Sequence, residues 1–123
     1  MLDIATGPGV LLTELARASS QPDRAWGIDS SPEMLSLAPA LPAAWRLSVA
    51  DATSLPFDDS SFDVVTSSYL LHVLSVQDRR RVIDEIGRVL RPTGRVGTIT
   101  IAPPRGPIAA AISAPVRIAA RRS

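Results

Sequence analysis

The chain has 123 residues, of which 46% are hydrophobic, and a formal net charge of +1. It is long enough for one domain with a buried core, and no basic stripe alternates with aromatic residues as in nucleic-acid-binding proteins. Cysteine is absent and all 13 basic residues are arginine, which excludes disulfides, thiolate catalysis, cysteine-ligated zinc, a P-loop lysine and a Schiff-base lysine.

The first predicted elements are a short strand, a glycine turn, a helix and a second strand. Residues 2–4 include Asp3 in an otherwise apolar strand, and the turn Thr6-Gly7-Pro8-Gly9 follows. Leucines at helical spacing predict a helix from Val10 to Ala18. A second strand is predicted from Arg24 to Ile28, so these residues have the order expected of an α/β fold.

A second helix and a third strand come next. Ser31 is placed to cap a helix that has Pro32 at its first position and ends before Pro39. The residues from Trp45 to Val49 predict the third strand, and Asp51 follows it in a loop.

A fourth strand and a third helix are predicted in the second half of the chain. Phe62 to Ser67 predicts the strand, and Ser75 to Asp78 resembles a capping box that begins the helix. We expect the arginines at positions 79–81 to be solvated. The polar residues Asp84, Glu85 and Arg88 also lie away from the apolar stripe. This stripe consists of Val82, Ile83, Ile86, Val89 and Leu90.

The last predicted elements are a turn at residues 92–94 and a fifth strand from Arg95 to Ala102. We expect residues 1–102 to form the core domain. Residues 103–123 form a tail rich in proline, alanine and arginine, for which a short packing helix and a frayed end both remain open. Strands that alternate with helices imply a parallel sheet with right-handed crossovers.

Three acidic residues fall at or just after predicted strand ends. The carboxyl ends of parallel strands line one edge of a sheet, so Asp3, Asp29 and Asp51 are expected at the same edge as the glycine turn. Pro8 removes one backbone N–H from that turn, and Asp3 would repel a phosphate, which disfavours a dinucleotide. S-adenosylmethionine carries a sulfonium and an ammonium group and no phosphate, so it suits this edge better.

Each of these residues also has a simpler interpretation, and the alternatives stay open at this point. Gly7 and Gly9 are typical of any tight turn. Asp29 is also placed to cap the helix at Pro32, and Asp51 is also consistent with an ordinary loop acid. The common spacing of the turn and the acids favours a shared site.

Four blocks of the sequence resemble class I S-adenosylmethionine-dependent methyltransferases, in particular the branch that includes ubiquinone and menaquinone biosynthesis methyltransferases. Together the blocks span about residues 2–101 in the family's order and spacing. They are Leu2–Gly9, Gly27–Leu35, Ala50–Phe57 with Ser61–Val65, and Glu85–Gly94.

The resemblance implies a Rossmann-like three-layer α/β sandwich with a mostly parallel sheet. Because the matching blocks begin at residue 2 and end near residue 101, we expect a chain truncated at both ends, with about five strands and without the family's usual last two. The fifth strand would then have an exposed edge, which is a candidate surface for a homodimer.

The resemblance also implies a role for each matching residue. Ala5 replaces the first glycine of the loop, a change that is tolerated if its φ is negative. The residues expected around the methionine part of the cofactor are Asp3, Ala5, Gly7 and Gly9. Those expected to bind the ribose and the adenine are Asp29, Ser30, Asp51 and Ala52. Those expected near the cofactor's amino-acid end and reacting methyl are Ser67 and Ser68.

We therefore expect S-adenosylmethionine-dependent methyl transfer to a small-molecule or lipid-like acceptor, without a metal. His72 is the only histidine and is a candidate base for an oxygen acceptor, with a purely structural role still open. A non-catalytic or partner-dependent domain is the alternative, and an NAD(P) oxidoreductase is disfavoured. No apolar run reaches the roughly 18 residues that span a bilayer, and no signal peptide is evident, so we expect a cytoplasmic protein.

Overall fold

The computed structural model describes residues 1–99. The predicted tail, the boundary at residue 102 and the end of the predicted fifth strand lie outside the described residues. Within residues 1–99, the predicted order of helices and strands is confirmed. The elements are β1 (Leu2–Ile4), α1 (Val10–Arg17), β2 (Trp26–Asp29), α2 (Pro32–Ser36), β3 (Arg46–Val49), β4 (Phe62–Ser68), a 3₁₀ turn (Leu71–Val73), α3 (Val76–Val89) and β5 (Leu90–Ile99).

The five strands form one parallel sheet in the order β3-β2-β1-β4-β5. The central strand β1 pairs with β2 and β4, so that Asp3 is level with Gly27 on one side and Thr66 on the other. The chain proceeds from β1 to β3 in one direction and then returns to build β4 and β5 on the other side. This reversal creates a crevice at the carboxyl ends of β1 and β4, which is where ligands of open α/β sheets bind.

Helices cover both faces of the sheet, as the Rossmann-like prediction requires. A Cβ added to Gly27 would contact Leu12 of α1, whereas the next residue of β2, Ile28, packs in the core cluster that includes α3. Because successive strand residues point to opposite faces, α1 and α3 lie on opposite sides of the sheet. The buried residues that α3 contributes are Val82, Ile86 and Val89.

The two predicted helix caps are confirmed. Ser31 Oγ accepts a hydrogen bond from the Met34 N–H at 3.2 Å, and Ser75 Oγ accepts one from the Asp78 N–H at 3.1 Å. Each bond satisfies a backbone donor that a first helical turn leaves without a partner. Among residues 1–99, no helix is both long and apolar enough to cross a bilayer.

Two predictions about the second half were wrong in detail. Arg79 is not solvated like Arg80, because its guanidinium donates to the Leu71 and Leu74 carbonyl oxygens at 2.9 and 3.3 Å. The predicted turn at residues 92–94 does not precede the fifth strand, which already begins at Leu90.

The turn residues instead lie within an irregularity of β5. Phe62 is level with Leu90, whereas Val64 is level with Arg95, so β5 uses five residues where β4 uses two. A proline lacks the N–H that a regular ladder needs, and such interruptions accommodate it.

A substitution at Gly27 tests the packing between the sheet and α1. A Cβ at this position would lie 2.7 Å from Leu47 Cδ2, 2.8 Å from Leu12 Cδ1 and 2.9 Å from Thr6 Cγ2. Three neighbours would have to move at once, so we expect Gly27→Ala to lower the free energy of unfolding by about 1–3 kcal/mol. Urea denaturation followed by circular dichroism measures this change.

Gly87→Ala is the matched control for this substitution. A Cβ at Gly87 meets no atom within 4 Å, and Gly87 lies inside α3. Because alanine is the better helix former, we expect this variant to gain about 0.5–1 kcal/mol. A Gly27→Ala variant as stable as the wild type would contradict the close packing.

Candidate functional site

The loop between β1 and α1 follows a left-handed path at three positions. Ala5, Gly7 and Gly9 have φ values of 57°, 56° and 75°. Glycine adopts this region freely, whereas a residue with a Cβ is strained there by about 1–2 kcal/mol. The condition under which alanine would be tolerated at position 5, a negative φ, is therefore not met. The chain has to turn sharply after β1 to bring the Thr6 N–H to the Ile28 carbonyl oxygen at 2.9 Å.

Asp29, at the carboxyl end of β2, fixes this loop in place. Its Oδ2 accepts a hydrogen bond from the Gly7 N–H at 2.8 Å, and its Oδ1 accepts one from the Ser31 N–H at 2.9 Å. The helix cap itself is Ser31 rather than Asp29. Because each carboxylate oxygen has about two acceptor sites, Asp29 can still accept hydrogen bonds from a ligand.

Asp3 supports the loop from within the protein. It is 3% exposed, and its two carboxylate oxygens accept hydrogen bonds from the hydroxyls of Thr6 at 2.7 Å and Thr66 at 2.8 Å. Burial raises the pKa of the Asp3 carboxyl above its usual value, and the two hydroxyls oppose that rise. Asp3 is thus engaged by protein groups on both oxygens and does not line the pocket described next.

A pocket of about 130 Å³ opens at the carboxyl edge of the sheet. This is smaller than the roughly 300–1,000 Å³ that encloses a drug-sized ligand, so the pocket has room for one flat ring system and not for a whole drug-sized ligand. Its walls bring together five of the residues that the sequence predicted for cofactor binding. These five are Ala5, Asp29, Ser30, Asp51 and Ala52.

The sequence interpretation missed the apolar residues that line the pocket on the side of β4 and α3. Leu70 and Leu74 follow β4, and Val82 reaches the pocket from α3 although its spacing had assigned it to the apolar stripe. The four-residue spacing of Leu70 and Leu74 and the spacing of the apolar stripe are both typical of side chains that pack in a core, so neither pattern distinguished a pocket wall. Acids on one side and apolar side chains on the other suit a flat ring with a polar edge.

Asp51 is held at the rim of the pocket by Thr53. Its Oδ1 accepts hydrogen bonds from the Thr53 N–H at 2.8 Å and from the Thr53 hydroxyl at 2.7 Å. These two bonds lower the pKa of the Asp51 carboxyl. Thr53 therefore holds a carboxylate acceptor at the rim of the pocket.

Five other predicted site residues do not line this pocket, besides Asp3. Gly7 and Gly9 belong to the adjoining loop and are buried. Ser67 is 1% exposed, and its hydroxyl has no hydrogen-bond partner in the described part of the chain. Ser68 follows it on the opposite face of β4. His72 lies in the 3₁₀ turn, and its Nδ1 is buried and also without a partner among residues 1–99.

The burial of Asp3 predicts a pH dependence of stability. The raised pKa means that folded Asp3 keeps its proton to a higher pH than unfolded Asp3, which titrates near 3.8. Protonated Asp3 thus makes its full contribution to the free energy of unfolding below pH 3.8. This contribution is lost as the pH rises through the pKa of the folded state.

Asp3→Asn removes this titration and keeps one acceptor oxygen. We expect the free energy of unfolding of the wild type, minus that of the variant, to fall as the pH rises from about 4 towards neutrality. Urea titrations at a series of pH values measure this difference. A difference that rises or stays constant over that range would contradict the account of Asp3.

Comparison with known proteins identifies the family. The profile of a family described as a methyltransferase domain matches residues 1–94. Demethylmenaquinone methyltransferase of Lactobacillus johnsonii is 36% identical over 113 residues, which cover 87% of this chain and 46% of that protein. The chain thus spans about half the length of the curated relatives it matches.

Solved structures agree with this assignment. An S-adenosylmethionine-dependent methyltransferase of Methanosarcina mazei is 32% identical, with a TM-score of 0.72 over 83% of this chain and 52% of that one. A chain in the complex of the Haloferax volcanii Trm112 methyltransferase activator with a methyltransferase is also 32% identical, with a TM-score of 0.73 over 80% of this chain and 43% of that one. The chain therefore belongs to the methyltransferase-domain family, whose cofactor is S-adenosylmethionine.

Proposed function

We propose that this protein uses S-adenosylmethionine to methylate a small-molecule or lipid-like acceptor. The observation that carries the proposal is the ring-sized pocket, in which the carboxylates of Asp29 and Asp51 face the apolar side chains of Leu70 and Leu74. Carboxylates attract a cationic nucleoside and repel the phosphates of a dinucleotide. The pocket therefore fits the adenosine part of this cofactor better than NAD(P).

The residues around the pocket divide into binding roles. Asp29 accepts hydrogen bonds from the ribose hydroxyls beside Ser30, using the acceptor capacity that Gly7 and Ser31 leave free. Asp51 accepts from the amino group of the adenine, and the Ala52 N–H donates to a ring nitrogen. The apolar wall excludes water from the ring.

The methionine part of the cofactor extends along the glycine loop. The left-handed turns at Gly7 and Gly9 bring the backbone close to it without an obstructing side chain, and Asp3 supports the loop from below. Ser67 and Ser68 lie at the carboxyl end of β4, next to this part of the crevice. The cofactor supplies the electrophilic methyl group, and the protein contributes orientation and exclusion of water.

The acceptor that fits best is a ring compound with an apolar tail. The Lactobacillus johnsonii relative is a demethylmenaquinone methyltransferase. In this chain, Tyr69, Val73 and Val76 follow β4 and are 56%, 67% and 74% exposed. Exposed apolar side chains beside a cofactor site are typical of a surface that receives an apolar ligand. His72, in the same segment, is the proposed base for an oxygen acceptor.

A partner-dependent domain is the second candidate, because the Haloferax volcanii neighbour was solved with a methyltransferase activator. A homodimer through the edge of β5 also stays a proposal, and β5 is an edge strand of the sheet within residues 1–99. Unpaired strand edges favour pairing with another chain. The expected cytoplasmic location likewise remains a prediction.

Isothermal titration calorimetry tests the proposed cofactor site. We expect the purified chain to bind S-adenosylmethionine with micromolar affinity and to give no heat with NAD. Asp29→Asn removes an acceptor and weakens the anchor of the glycine loop, so we expect the affinity for S-adenosylmethionine to fall about tenfold or more. Asp84→Asn, at an exposed position of α3, is the control that leaves binding unchanged.

The result that would contradict the proposal is an absence of heat at millimolar S-adenosylmethionine. Once binding is established, methyl transfer is measured as the release of S-adenosylhomocysteine, with a short-tailed demethylmenaquinone as the acceptor. Binding of the cofactor without any release would favour the partner-dependent domain over the enzyme.

A further inference from the structure

The loop over residues 50–61 joins β3 to β4 and carries both residues assigned to the adenine, Asp51 and Ala52. It has no helix or strand of its own. The buried part of an irregular loop still needs partners for its backbone N–H and carbonyl groups. Those partners decide how firmly the loop presents its side chains to the pocket.

Two residues of α3 supply these partners. Arg88 Nη2 donates to the Leu55 carbonyl oxygen at 2.9 Å, and Arg88 Nη1 donates to the Phe57 carbonyl oxygen at 2.7 Å. Glu85 Oε2 accepts a hydrogen bond from the Leu55 N–H at 2.7 Å. One ion pair thus satisfies three polar groups of the loop backbone, both those of Leu55 and the carbonyl of Phe57, which lie 30 to 33 positions before their partners in the chain.

The ion pair is itself well formed. Arg88 Nε and Nη2 donate to Glu85 Oε1 and Oε2, both at 2.9 Å, which is the bidentate geometry of strong arginine–carboxylate pairs. The two side chains are only 32% and 20% exposed. Hydrogen bonds from Arg88 lower the pKa of the Glu85 carboxyl. Asp59 also contacts Arg88 at 3.0 Å but is 79% exposed, so it contributes little.

The two loop residues that Arg88 and Glu85 hold, Leu55 and Phe57, lie a few positions after Asp51 and Ala52, the residues assigned to the adenine. Leu55 is 5% exposed and packs in the main core, and the Phe57 ring packs edge-on against Trp26 at 5.4 Å. Upstream, the Ser54 N–H donates to the Asp51 carbonyl oxygen at 3.1 Å. A displacement of residue 55 would therefore be transmitted through a single tight turn to Asp51.

We propose that Arg88 and Glu85 are positioning residues that set the preference of the pocket for adenine, by holding the loop over residues 50–61 against α3. Neither residue lines the pocket, so both act through the loop. The inference rests on the proposed cofactor site. Asp51 attracts an amino group at the edge of the base and repels an oxo group there, provided that the loop keeps its carboxylate in place.

The test compares the binding of adenosine, inosine and S-adenosylmethionine to the wild type, Arg88→Gln and Arg88→Lys by calorimetry. Inosine has an oxo group where adenosine has the amino group. We expect the wild type to prefer adenosine, and Arg88→Gln to lose most of that preference and about tenfold in affinity for S-adenosylmethionine. Lysine keeps the charge but cannot form hydrogen bonds to both carbonyl groups. We therefore expect the adenosine preference of Arg88→Lys to lie between those of the wild type and Arg88→Gln.

Arg81→Gln is the matched control, since Arg81 lies on the same helix and its ion pair among residues 1–99 is an exposed one with Asp78, at 3.5 Å. All titrations are made at a temperature at which circular dichroism shows each variant to be folded. Glu85→Gln, which keeps the size of the side chain, replaces Arg88→Gln if that variant does not fold. A general loss of stability would lower both nucleoside affinities together and leave their ratio unchanged.

The possible outcomes separate the two proposals. The inference about Arg88 and Glu85 alone is overturned if the wild type binds S-adenosylmethionine and Arg88→Gln keeps the wild-type ratio of adenosine to inosine affinity. A wild type that binds neither S-adenosylmethionine nor adenosine overturns the cofactor site and the inference with it. A ratio that falls in Arg88→Gln, recovers in part in Arg88→Lys and is unchanged in Arg81→Gln supports the inference.

Discussion

The site depends on the two hydrogen bonds that the carboxylate of Asp29 accepts. This carboxylate lies at the end of β2 and accepts the N–H groups of Gly7 and Ser31, so one side chain joins the glycine loop, the central sheet and the start of α2. Without an acceptor at this point, two partly buried N–H groups would lose their partners, which costs about 1–3 kcal/mol for each group. The path of the loop, including the strained left-handed Ala5, therefore depends on this carboxylate.

The register of the parallel sheet explains why the site forms at this edge. Asp3 is level with Thr66, and the hydroxyl of Thr66 bonds its carboxylate across the junction of β1 and β4. Beyond that junction the chain directions diverge, and the crevice is lined by acids on the β2 side and by apolar residues that follow β4. An arrangement with separate polar and apolar walls suits a nucleoside, because the polar groups can form hydrogen bonds to its edges and the apolar groups can bury its ring.

Much of this architecture could be predicted from the sequence because its signals are local. Ser31 and Ser75 precede their helices at capping spacing, and the apolar stripe of α3 has helical periodicity. The pocket residues Ala5, Asp29, Ser30, Asp51 and Ala52 follow strand ends, where a parallel sheet gathers its ligand-binding side chains. The features that could not be predicted depend on distant partners. Periodicity shows that Arg88 lies off the apolar face, but it does not reveal bonds to a loop about thirty positions away, and the φ of Ala5 follows from the Thr6–Ile28 contact.

We infer that Asp29 organises the proposed nucleoside site between the glycine loop and the Asp51 turn. Backbone ¹⁵N–¹H chemical shifts recorded during titration with S-adenosylmethionine test this inference. We expect the largest changes at the amides of Gly7, Ser30 and Ala52, around the pocket at the carboxyl edge. Changes confined to other regions, such as the amides of β5, with these three unaffected, would contradict it.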